Sequence, residues 1–146
     1  MLGTPAFRSV PSNQPLTKLL AKRKGTSHRF GCLMLPIEPS LARKMADKIW
    51  NLRVMDDEAG VMNRSIADTT REVMVVSQFT LYGDTSAGRR PSWIAAARPE
   101  HAEPLVAMVV DELRRLGATV ATGRFRTHMN VSLVNDGPST VMIELP

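Results

Sequence analysis

The sequence predicts an α+β domain, a mainly antiparallel or mixed β-sheet with two main helices packed on one face. Three observations carry this: two amphipathic helical runs, a continuous β-branched run between them, and alternating apolar runs near the end of the chain. At 146 residues the chain suits one compact unit, since a chain of this size buries roughly 70% of the surface its unfolded form exposes.

Residues 1–30 hold three prolines and sustain neither a period of two nor one of 3.6. They read as a basic, poorly ordered segment ahead of a domain spanning residues 31–146. Being basic and acid-poor, the segment also has the composition of an organelle transit peptide, while the lack of an apolar core and small-residue cleavage site excludes a secretory signal. "GCLML" (31–35) reads as a short buried strand, punctuated by Pro36 and Pro39. Ser40 is placed as the N-cap of a first helix, "LARKMADKIWNL", with Leu41, Met45, Ile49 and Leu52 on its apolar stripe and Trp50 in the core. "DDEAGVMN" is a turn with Gly60 as its positive-φ residue, leading to a central strand in "REVMVVSQFTLYGD". A second helix starts near Pro99, with Leu105, Val109, Leu113 and Leu116 on one face and Gly117 as its left-handed C-cap. "ATVATGRF", "HMNVSLV" and "STVMIEL" read as further strands, with Met129, Val131 and Leu133, then Val141, Ile143 and Leu145, as apolar faces.

Composition narrows the function. No stretch approaches the ~20 apolar residues of a membrane-spanning helix, and the chain reads as soluble and cytoplasmic. A lone Cys32 rules out an intramolecular disulfide and fits a reducing compartment. His28, His101 and His128 lie far apart with no metal-ligand spacing, so no metal and no cofactor is expected. The net charge of +5 is weak support for nucleic acid, because residues 1–37 carry six basic and no acidic side chains while the remainder is slightly acidic.

Three segments can carry chemistry. In "SQFTL", Ser77, Gln78 and Thr80 interrupt an apolar strand; they are either satisfied polar groups of the sheet or the lining of a cavity. No histidine or carboxylate lies close in sequence to activate a hydroxyl, and the Gly-x-Ser-x-Gly elbow is absent, so backbone N–H groups where the strand ends are the better oxyanion donors. "AGRRPSW" sets Arg89, Arg90 and Trp93 in a Gly/Pro-rich loop, suited to an RNA end through phosphate pairing and base stacking, or equally to a solvated basic turn with a core tryptophan. In "VNDGPST", Gly137-Pro138 is either a cis peptide that aims its carbonyls outward or an ordinary turn.

Taken together, "VVSQFTLYGDT", "GRRPSW" and "MNVSLVNDGPST", with "KIWNLRVM" and "DDEAGVMN", resemble the D-aminoacyl-tRNA deacylase (D-Tyr-tRNA deacylase) family from about Leu41 to Leu145. The resemblance implies a homodimeric, cofactor-free hydrolase that cleaves the ester between a D-amino acid and the 3′ end of tRNA. It implies that Ser77, Gln78, Phe79 and Thr80 form the catalytic segment, with amides near Phe79 and Thr80 as oxyanion donors. Gly137 and Pro138 would reach across from the partner subunit and, with Asn135 and Met129, bind substrate. Arg89 and Arg90 would contact tRNA. The wall of Gly-Pro carbonyls would admit a D-residue's ammonium and exclude an L side chain, leaving glycyl-tRNA open to cleavage. The chain departs from the family at Ser139 and across residues 1–30, where the family places sheet strands and an active-site arginine. A misassigned start or a decayed copy is the expectation this raises, with a catalytically impaired protein that keeps dimerisation or tRNA-end binding as the alternative function.

Overall fold

The computed structural model describes residues 29–33, 38–69, 71–132 and 140–145, with side chains from residue 38 onward. Residues 1–28, and with them the expectation for the basic segment, lie outside it. So do Asn135, Gly137, Pro138 and Ser139.

In chain order the elements are β1 (Arg29–Leu33), α1 (Pro39–Asn51), β2 (Met55–Asp56), β3 (Met62–Arg64), β4 (Val73–Ser77), a 3-10 turn (Phe79–Tyr82), α2 (Pro99–Arg115) and β5 (Val120–Thr122). The main sheet has the order β1-β4-β5, and both pairings are parallel. The α+β class with two helices stands, while the expected mainly antiparallel or mixed sheet is a parallel main sheet: among the described residues, antiparallel ladder pairing is confined to the small β2-β3 hairpin and the isolated Asp84-Ser92 bridge. The reason is connectivity. A helix separates β1 from β4 and another separates β4 from β5, and such crossovers produce parallel neighbours. Both crossovers step the same way across the sheet, so right-handed connections put both helices on one face. Accordingly α1 and α2 pack against each other, and α2 also meets β4 and β5.

The core lies in that layer. Ala42 and Ala46 of α1, Leu105, Val109, Val110 and Leu113 of α2, and Val73 and Val75 of β4 form one buried cluster, closed by Met55, Ile66 and Ala118. The small Ala42 and Ala46 let the helices approach; of the expected stripe Met45 is buried and Leu41, Ile49 and Leu52 are half-buried, and Ala42 and Ala46 join it as buried residues. Trp50 packs against this core from its rim. Helix α1 starts at Pro39, with Glu38 as N-cap and no side-chain cap bond, so Ser40 lies inside the first turn. Proline there costs nothing, because the first N–H groups of a helix lack intrahelical partners anyway. Helix α2 runs as expected, ending with Arg114 and Arg115 in its last turn and Gly117 at φ +103. Gly60 takes φ +76 at the hairpin tip.

The last expected strands differ most. Residues 128–132 and 140–145 carry no strand assignment, although Met129 and Val131, then Ile143 and Leu145, remain half-buried between exposed neighbours. Alternation needs a paired ladder to become a strand, and these segments have none among the described residues. Val141, expected on the apolar face, is exposed.

Candidate active site

In a parallel sheet every strand ends on the same edge, and open α/β sheets bind ligands outside that carboxyl edge. Ser77 is the last residue of the central strand β4 and pairs in register with Leu33, the last residue of β1. "SQFT" therefore leaves the sheet at its carboxyl edge, flanked by the ends of β1 and β5.

The expected strand does not continue through "FTLYGD". It breaks at Gln78 (φ −143, ψ 86) into the 3-10 turn of Phe79–Tyr82, closed by the Gly83 N–H donating to Thr80 O at 3.1 Å. A 3-10 turn pairs N–H groups with carbonyls three residues back, so the Phe79 and Thr80 amides at its start have no acceptor within it. The polar side chains satisfy one another: the Gln78 amide donates to Thr80 Oγ1. Ser77 and Gln78 are half-buried, while Phe79 and Thr80 are exposed. The segment is thus surface lining at a strand end and not a set of buried sheet polars.

Asp84 and Ser92 form a two-way bridge, each N–H donating to the other's carbonyl at 2.8 Å. This closes the loop 85–91, whose tip exposes Arg89 and Arg90, and returns the chain so that Trp93 lies beside the turn. Trp93 meets Phe79 edge-on, with ring centroids 5.8 Å apart and planes at 68°. Neither ring is a core residue: Phe79 is 60% and Trp93 40% exposed. Of the two readings of Trp93, the core one does not hold. A further tie of the loop is the Ser86 N–H, which donates to Asp84 Oδ1 at 2.9 Å and holds that carboxyl below the usual carboxylate range.

Met129 is brought to the same region from far along the chain. A Cβ at Gly123 would lie 3.1 Å from Met129 Cε and 3.3 Å from Val76 Cγ2, so the thioether, the β5 end and the residue before Ser77 converge. The Arg124 N–H also donates to Met129 Sδ at 3.2 Å. Sequence spacing gave no sign of the Phe79–Trp93 contact or of the role of Gly123, because each depends on which chain ends the sheet juxtaposes. Among the described residues, no three His, Cys, Asp or Glu side chains could hold a metal ion, and no helix is long and apolar enough to cross a membrane.

Fold and site define a small domain of crossover-linked parallel strands whose polar strand end is presented on an open edge beside an aromatic pair. The model of the D-Tyr-tRNA(Tyr) deacylase family matches residues 36–144. The chain belongs to that family. A D-aminoacyl-tRNA deacylase of Heliobacterium modesticaldum is 58% identical over 103 residues, 70% of this chain and 69% of the relative. One of Symbiobacterium thermophilum is 55% identical over 107 residues, 73% of this chain and 71% of the relative. Among solved structures, a protein named c-Myc DNA Unwinding Element Binding Protein superimposes with a TM-score of 0.70 at 32% identity, covering 82% of this chain and 81% of its own.

Proposed function

We propose that the chain is a D-aminoacyl-tRNA deacylase, an ester hydrolase that releases a D-amino acid from the 3′ end of tRNA. Membership of the family and relatives of that name support the activity. The observation that carries the site is the break of β4 into a 3-10 turn at the sheet's carboxyl edge, which leaves the Phe79 and Thr80 amides without an acceptor inside the turn.

The chemistry asked of such a site is modest. Attack of water on the ester makes the carbonyl oxygen an oxyanion, and two fixed N–H donors stabilise it without moving. No side-chain base stands in the segment, so the ribose 2′-hydroxyl beside the ester assists the water, and catalysis is chiefly positioning and electrostatics. Met129 borders the aminoacyl pocket, and Arg89 and Arg90 take tRNA phosphate. Gly137 and Pro138, with Asn135, come from the partner of a homodimer as the wall that accepts a D-ammonium and excludes L side chains, which leaves glycyl esters as a second substrate. A substrate that serves translation places the enzyme in the cytoplasm. The test is hydrolysis of D-tyrosyl-tRNA against L-tyrosyl-tRNA by the purified chain. Selective loss of the D-ester is expected; loss of neither, with tRNA-end binding retained, replaces the enzyme by an impaired binding module.

A further inference from the structure

The loop that brings Trp93 back over the 3-10 turn does more than expose two arginines. The Asp84-Ser92 bridge fixes both of its ends, and Trp93 follows immediately. From there the indole reaches the turn at two places. Its ring meets Phe79 edge-on at 5.8 Å. Its Nε1 edge lies against Gly83, where an added Cβ would stand 3.0 Å from both Trp93 Nε1 and Thr80 O. Only a residue without a side chain allows indole, Gly83 backbone and Thr80 carbonyl to come so close, so Trp93 bears on the first residue of the turn, Phe79, and on Gly83, which caps its end.

We infer that Trp93 is a positioning residue: it holds the Phe79–Tyr82 turn in place from the side, acting through Phe79 and Gly83. This rests on the reading of that turn as the reacting segment. A stacking surface for a nucleobase is the competing role for an exposed indole, and the two separate kinetically. A ring that fixes the turn affects the chemical step, because small misplacements of catalytic groups are costly. A ring that stacks on the substrate affects binding first.

The experiment uses the full chain with Trp93→Ala, Trp93→Phe and, as a neighbouring control, Ile94→Ala; Ile94 is 96% exposed and has no place in the site. On D-tyrosyl-tRNA, Trp93→Ala is expected to lower kcat about tenfold with KM changed less than about threefold, and Trp93→Phe to recover most of it by restoring an aromatic edge. Amide exchange gives a readout that needs no substrate. The Gly83 N–H, bonded to Thr80 O, exchanges faster in Trp93→Ala and not in Trp93→Phe, while Val109 in the core is unchanged. A rise in KM at constant kcat, an equal loss in Ile94→Ala, or Gly83 exchange indifferent to Trp93 overturns the inference. A wild-type chain without D-selective hydrolysis overturns the deacylase reading instead, and the exchange result still decides whether Trp93 holds the turn.

Discussion

The helix face of the sheet and its carboxyl edge are built to opposite rules. On the helix face, side chains interlock: Val109 and Leu113 are wholly buried between α1 and β4, packed against Val73 and Val75 of β4. At the edge, large apolar side chains stay in the open; Phe79, Leu81 and Trp93 all show substantial surface within a span of fifteen residues. On the proposed function, the comparison teaches that stability and function would be drawn from different residues of the same strand: Val73 and Val75 anchor β4 in the core, while Ser77, two positions on, is the strand's last residue at the open edge.

The largest effect that would sharpen this contrast is on the buried side. Leu113→Ala removes a fully buried side chain from the helix layer and is expected to cost about 2–5 kcal/mol. That lowers Tm by roughly 5–20 °C for a domain of this size. Thermal unfolding by circular dichroism measures it, and kcat of the protein that stays folded should be unaltered. A large loss of kcat at a temperature where the variant is folded would break the division of labour.

Phe79→Ala is the mirror experiment. Because the ring is mostly exposed, Tm should move by no more than about 2 °C, while kcat/KM on D-tyrosyl-tRNA falls by about a hundredfold through displacement of the turn. Stability falling with little change in rate would place Phe79 with the core.

Much of the helix face was legible in the sequence and much of the edge was not. Leu105, Val109 and Leu113 recur at helical spacing, and a helix buries whatever stripe it presents, so α2 could be read within a residue of its observed start. For α1 the stripe was read with Met45 and Ile49 but without its two most buried residues, because Ala42 and Ala46 are too small to stand out and yet decide how closely the helices approach. The parallel sheet was concealed because apolar runs look alike in either direction. The break after Ser77 was concealed because "FTLY" is as strand-prone as what precedes it. "SQFT" stood out as polar residues ending an apolar run and Met129 through the family resemblance, whereas the approach of Met129 to Gly123 and Val76 needed the register of β4 and β5.

A smaller effect separates the backbone of the edge from its side chains. Replacing both Ser77 and Thr80 by alanine removes every hydroxyl of the segment but leaves its N–H groups in position. If those amides carry the oxyanion, turnover persists to within about tenfold of wild type. Abolished turnover, with a trappable covalent adduct in the parent, would instead make a hydroxyl the nucleophile.

The smallest effect is acid sensitivity. Asp57 is held below the usual carboxylate range chiefly by the Val61 N–H, with Ala59 N–H and Asn63 adding to it, and it ties the tip of the β2-β3 hairpin; Asp84 is held down by Ser86 in the loop that carries Trp93. A carboxyl whose folded pKa is depressed stabilises the fold above its unfolded value, and that contribution disappears as pH falls through the folded value. Lowering pH from neutrality to below about 4 should therefore loosen these two turns before the helix layer, whose buried cluster contains no carboxylate. Amide chemical shifts report it directly: Val61 and Ser86 titrate over that range while Val109 and Leu113 hold. Asp57→Asn flattens the Val61 titration and leaves that of Ser86. Simultaneous loss of all four signals at one pH would show that the turns and the core open as a single unit, and the separation between edge and interior would then be one of chemistry and not of stability.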